Sequence, residues 1–191
     1  MSITVNGLEV RSDEIKPDIS LKFSNLTQQG QIRLFSENKD TFLYEALISE
    51  YPEVHMLAIN SKKEYSATSV NNLISNILKS GMTTIEAGWI LELINVPNFK
   101  LEEALRKKLS NSEYWPLKAW VAKDKYTSMQ LLERMFLIEA TNFIKNGSTI
   151  VLNAVIQNKN FNITPLLIKR MNNIFSEEEF NKIMRKVHEF R

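Results

Sequence analysis

Cysteine is absent from this chain, and histidine occurs only at His55 and His188. Without thiols there is no disulfide framework and no thiolate zinc or redox site. Two histidines far apart in sequence do not make a transition-metal site, so neither metal nor cofactor is expected. The five glycines stand singly, which excludes a dinucleotide fingerprint and a phosphate-cradling glycine loop. No apolar run reaches eighteen residues, so no membrane-spanning helix and no membrane partner are expected. The first twenty residues carry Glu9, Asp13, Glu14 and Asp18 and have no apolar stretch of the secretory kind, which leads to the expectation of a cytoplasmic protein.

What is present is enough apolar material for one core: 191 residues, 43% of them hydrophobic, suit a single domain. Charge is uneven along it. Residues 1–99 hold 8 Lys/Arg against 12 Asp/Glu, or −4, and residues 100–191 hold 16 against 10, or +6. An acidic front and a basic back point to a partner of complementary charge for one of them. The alternative is a solvated surface that needs none.

The chain begins with strand-like alternation. Ile3 and Val5, then Asn6-Gly7, then Leu8 and Val10 give the pattern of a β-hairpin closed by a type I′ turn. Ile19, Leu21 and Phe23 extend the expectation to a short third strand. Residues 1–23 are therefore read as a hairpin segment packed on a helical domain over residues 24–191.

From Ser24 the apolar periodicity is helical. Helices are expected near residues 25–37, 41–50, 52–60, 68–79, 84–95, 101–111, 115–123, 128–145, 148–158, 164–174 and 177–190. Some ends carry their own chemistry. Thr164-Pro165 is an N-cap hydroxyl followed by proline at the first helical position, Ser176 with Glu179 makes a capping box, and Asn146-Gly147 ends a long helix through a left-handed residue.

Three stretches align without a gap over twenty columns: residues 90–109, 117–136 and 152–171. Each is an apolar run, a polar loop ending in an aromatic residue, and a second apolar-periodic run. A looser copy spans residues 56–77. Helix pairs that cannot bury their apolar faces alone stack on one another. The loops Asn95-Val96-Pro97-Asn98-Phe99 and Gln157-Asn158-Lys159-Asn160-Phe161, with the Thr164-Pro165-Leu166-Leu167 start, resemble the variant leucine-rich repeat and its relatives among HEAT-like helical repeats. The resemblance covers about residues 46–175. It implies an all-α fold, an irregular right-handed α-solenoid of stacked helix pairs with a short N-terminal β-hairpin, and a binding scaffold for proteins or nucleic acids. The loop aromatics Tyr65, Phe99, Tyr126 and Phe161 are unevenly spaced, so the stack is expected to be irregular.

Counted from the loop aromatic, the eighth residue is basic in all three ungapped copies: Lys107, Arg134 and Lys169. Arg106, Lys108 and Arg170 stand beside them. Equivalent residues of stacked repeats lie at equivalent heights, so these six are the candidate binding residues, a basic ladder along the second helices that meets carboxylates or phosphates. The plain alternative is compensation of helix dipoles by cations in the last turns.

Trp120 and Asp124 have the spacing of one helix face. That is similar to the HEAT-like DNA glycosylases of alkylation repair, which would give Asp124 a role at the sugar of a modified base. Against it, no arginine matches the pattern and Asp124 falls in a loop, which favours a packing indole and a turn-forming acid. The Glu177, Glu178 and Glu179 cluster reads as a helix cap, and neither His55 nor His188 has partners for catalysis. No catalytic residue is expected. The combined expectation is a non-enzymatic macromolecule-binding protein, an adaptor, assembly or neutralising factor whose partner is a protein with an acidic surface, with nucleic acid as the alternative ligand. The abundance of asparagine, lysine and isoleucine fits an AT-rich bacterial or phage genome.

Overall fold

Among the described residues eleven helices make an all-α fold. The computed structural model describes residues 23–190 together with the backbone of two short strands. Ile3–Val5 runs antiparallel to Leu8–Val10 with Ile3 opposite Val10. The Asn6-Gly7 turn, and Ile19 and Leu21 of the expected third strand, lie outside the described residues. Phe23 departs from that expectation: it is helical, buried, and stacks on Phe42 with ring centroids 5.3 Å apart.

The chain divides into two compact units, Met1–Phe99 and Lys100–Arg191. The division falls where the charge changes sign, and not after residue 23.

In the first unit the helices are α1 (Gln28–Glu37), α2 (Leu43–Leu47), α3 (Pro52–Asn60), α4 (Ala67–Ser80) and α5 (Thr84–Ile94). Their ends follow from side chains close in sequence. Ser66 caps α4, and Thr83 with Glu86 forms a capping box on α5. Gly81, at φ +90°, takes the left-handed conformation that lets the chain turn between them. The core is made by one face of each helix, with Phe35, Ala46, Val54, Ala58, Ile74, Ala87 and Ile90 all at 0% exposure. Helix α3 packs against α1, α2 and α5, and α4 against α5. Gln31 is the buried polar exception; it is satisfied by the carbonyl of Leu26 at 3.2 Å and the hydroxyl of Ser49 at 2.7 Å.

The second unit comprises α6 (Glu103–Leu109), α7 (Trp115–Lys123), α8 (Met129–Asn146), α9 (Ile150–Ile156), α10 (Pro165–Ile174) and α11 (Glu177–Glu189). The Thr164 cap with Pro165, the Ser176/Glu179 capping box and the left-handed Gly147 all stand as expected. Helix α9 packs on α7 and α8, while α11 packs on α8 and α10 and buries Ile183 and Val187. Ion pairing joins α7 to α8 as well, through Lys118 and the buried Glu139 at 3.1 Å.

Candidate functional site

The basic residues of the second unit lie on three helices whose rotation can be counted from their N-cap positions. Helices α6, α8 and α10 begin at the N-caps Glu102, Ser128 and Thr164. The third residue after each cap is leucine, Leu105, Leu131 and Leu167, and the seventh is Leu109, Met135 and Met171. All six are buried. The three helices therefore share one register, in which the sixth residue after the cap is Lys108, Arg134 and Arg170, and all three are exposed.

This register corrects the ladder by one step. Lys107 and Lys169 are fifth from their caps, where α8 has Glu133. One residue turns a helix by about 100°, so Lys107 and Lys169 do not share a column with Arg134. The shift arises because one residue separates Tyr126 from its cap Ser128, while two separate Phe99 from Glu102 and Phe161 from Thr164. Tyr126 is not the counterpart of Phe161 either. Phe161 is buried against Phe136 with centroids 5.0 Å apart. Tyr126 is 38% exposed, with the ammonium groups of Lys100 and Lys125 at 5.7 and 5.0 Å from its ring centre.

Polar contacts order the three helices side by side. The Ser128 hydroxyl donates to Glu103 at 3.1 Å and Arg134 donates to the Asn111 side chain at 3.2 Å, joining α8 to the α6 segment. The Thr164 hydroxyl donates to Glu133 at 3.2 Å, and Arg170 lies 3.7 Å from the same carboxylate, joining α10 to α8. The basic column thus runs across three neighbouring helices. Lys107, Lys108 and Lys169 are exposed and have no ion pair among the described residues; Lys107 and Lys169 flank the column.

Arg106 leaves the candidate set. Its side chain is 4% exposed, and each nitrogen of its guanidinium has a partner within the unit. Nε donates to Asp124 at 2.9 Å, Nη1 to Glu103 at 2.5 Å, and Nη2 to the Leu101 carbonyl at 2.8 Å. A guanidinium so held cannot serve a partner without first leaving a buried carboxylate unpaired. Asp124 is equally committed: it caps the end of α7, its side chain is 6% exposed, and its second oxygen accepts the Tyr126 N–H at 3.1 Å. That is the turn-forming role, with an ion pair added. Trp120 is half-buried, and the carboxylate that a glycosylase would need is not presented to a ligand.

A second basic feature on the loop edge had no counterpart in the sequence reading. Lys123, Lys125 and Lys159 line a cleft of about 490 Å³ with Gln157 and Asn160, and no carboxylate lines it. Its walls are held by asparagine side chains. Asn158, 8% exposed, donates to the carbonyls of Ala122 at 2.7 Å and Asp124 at 3.1 Å. Asn160 donates to those of Lys125 at 2.8 Å and Thr127 at 3.2 Å. The convergence of these lysines depends on contacts more than thirty residues apart in sequence, which no local pattern carries.

Among the described residues, no helix is long and apolar enough to cross a membrane. Compared with known proteins, the chain matches no protein-family model, no curated protein and no solved structure.

Proposed function

We propose that this chain is a non-enzymatic macromolecule-binding protein of adaptor, assembly or neutralising type, working in the cytoplasm. Its helix pairs stack as a HEAT-like or variant leucine-rich α-solenoid, with a hairpin at the N-terminus. The partner is a protein with an acidic surface, engaged by Lys108, Arg134 and Arg170 with Lys107 and Lys169 beside them. The observation that carries this reading is the column itself: three helices in one capping register carry an exposed cation at the same position. Dipole compensation alone favours cations anywhere in a last turn and does not require one register.

The test is partner capture from a nuclease-treated extract of the source organism. A protein captured by wild type should be lost with the triple variant Lys108→Glu, Arg134→Glu, Arg170→Glu, as like charges oppose each other across a complementary interface. It should be retained by a Lys63→Glu, Lys79→Glu control from the acidic unit. Equal loss in both would mean that net charge alone governs binding, and the column would be abandoned.

A second reading, nucleic-acid binding, is favoured by the lysine-lined cleft and the exposed Tyr126 beside Lys125, since basic channels with aromatic faces hold single strands. Salt separates the two. Contacts to many phosphates give a steep fall of log affinity with log salt, and a protein interface of ordinary composition does not.

A further inference from the structure

The first unit carries a surface of opposite character. A shallow groove of about 580 Å³ is lined by Leu47, Ile48, His55, Ile85, Glu86 and Trp89 among others. Its apolar side chains are unusually open to water, Ile85 being 68% and Ile48 51% exposed. The floor is fixed. His55 Nδ1 donates to the Leu47 carbonyl at 2.8 Å, and its ring lies 5.8 Å from that of Trp89. An indole held against an imidazole between two exposed branched residues is a preformed apolar anchor site.

Charge around the groove is one-sided. Every lining residue comes from residues 40–61 or 80–99, and neither segment contains a single lysine or arginine. Together they hold Asp40, Glu45, Glu50, Glu53, Glu86 and Glu92. Of these, Glu92 is neutralised from outside by Lys62 at 2.9 Å. Glu86 lines the groove, and Glu50 follows the lining residue Ser49.

We propose that this groove docks a segment of another protein bearing two or three large apolar residues flanked by arginine or lysine. An apolar floor accounts for the anchors, and a lining with Glu86 and no lysine or arginine, with Glu50 next to it in sequence, selects basic flanks and disfavours nucleic acid and anionic lipid. The site shares no residue with the basic column of the second unit.

The test is selection of a phage-displayed library of random sixteen-residue peptides on the full chain. Enriched peptides should combine apolar and basic residues. They should bind at least about tenfold more weakly to Ile85→Asp and to Ile48→Asp, as loss of a central anchor does. Both positions are exposed, so each variant should melt as wild type does. Leu166→Asp, equally exposed at 55% on the other unit, and the triple reversal of Lys108, Arg134 and Arg170 should both bind these peptides unchanged. Absence of enrichment, enrichment of acidic or neutral peptides, or indifference to both groove variants would overturn the proposal. Self-association of the wild type that Ile85→Asp abolishes would overturn it too, by assigning the groove to a second copy.

Discussion

Arg106 and Asp124, eighteen residues apart in sequence, meet at 2.9 Å inside the second unit, with 4% and 6% of their side chains exposed. The pair binds the start of one helix pair to the loop of the next. Removing one partner of such a buried pair costs about 3–5 kcal/mol, because the other charge is left uncompensated. Arg106→Ala should therefore lower the free energy of unfolding by that amount in urea titration, and Asp124→Asn should also destabilise. Unchanged midpoints in both would show that the pair is solvated and dispensable.

Asn158 makes a narrower claim. Its amide group is the donor to two backbone carbonyls of the preceding loop. Asn158→Ala leaves the Ala122 carbonyl unpaired in a buried place, while that of Asp124 keeps the Thr127 N–H at 3.0 Å, a loss of about 1–3 kcal/mol for the group left unsatisfied. A thermal melt of the variant within error of wild type would show that water replaces the amide without cost.

The final helix closes the second unit. Deleting the chain after Phe175 removes Ile183 and Val187, which are 0% and 2% exposed, together with the half-buried Phe180 and Met184. Full burial of one such side chain is worth about 1.5–3 kcal/mol, so the truncated protein should melt far below wild type. A preserved melting point would mean that α11 is an appendage.

Glu179 supplies a pH test. Hydrogen bonding from the Ser176 N–H, then from its hydroxyl, holds the carboxyl below its ordinary 4.5. A carboxyl lowered in the folded state contributes stability that is full above its unfolded pKa and is lost as pH falls through the folded one. Glu179→Ala should thus be less stable than wild type at pH 7, with the gap closing as pH drops below about 4.5, the ordinary value. A gap that stays constant down to strongly acidic pH would rule out the titration.

The helices were legible because their signals are local. Thr164 with Pro165, Ser176 with Glu179 and Gly147 each end or begin a helix through contacts within four residues, and all three act as the sequence implied. Arg106 was misread because its burial depends on Asp124 and on Leu101, which no helix periodicity connects. The ladder was off by one because Tyr126 imitates Phe161 in type while occupying a different place in its loop. The groove around Trp89 was not legible at all. Its residues come from α2, α3 and α5, and openness to water is a property of their assembly and not of any one segment.

The loop between Tyr126 and Ser128 is one residue shorter than its neighbours, yet α8 keeps the register of α6 and α10, because its side chains are counted from the helix start and not from the loop aromatic. The helix start acts as the phase setting, and the loop length is free to vary. A residue added before Ser128 would leave Arg134 in its column, whereas one added between Ser128 and Arg134 would turn it about 100° away from Lys108 and Arg170. A lineage of such proteins could therefore lengthen its loops without losing its grip, and change that grip by one insertion in the first turns of a single helix.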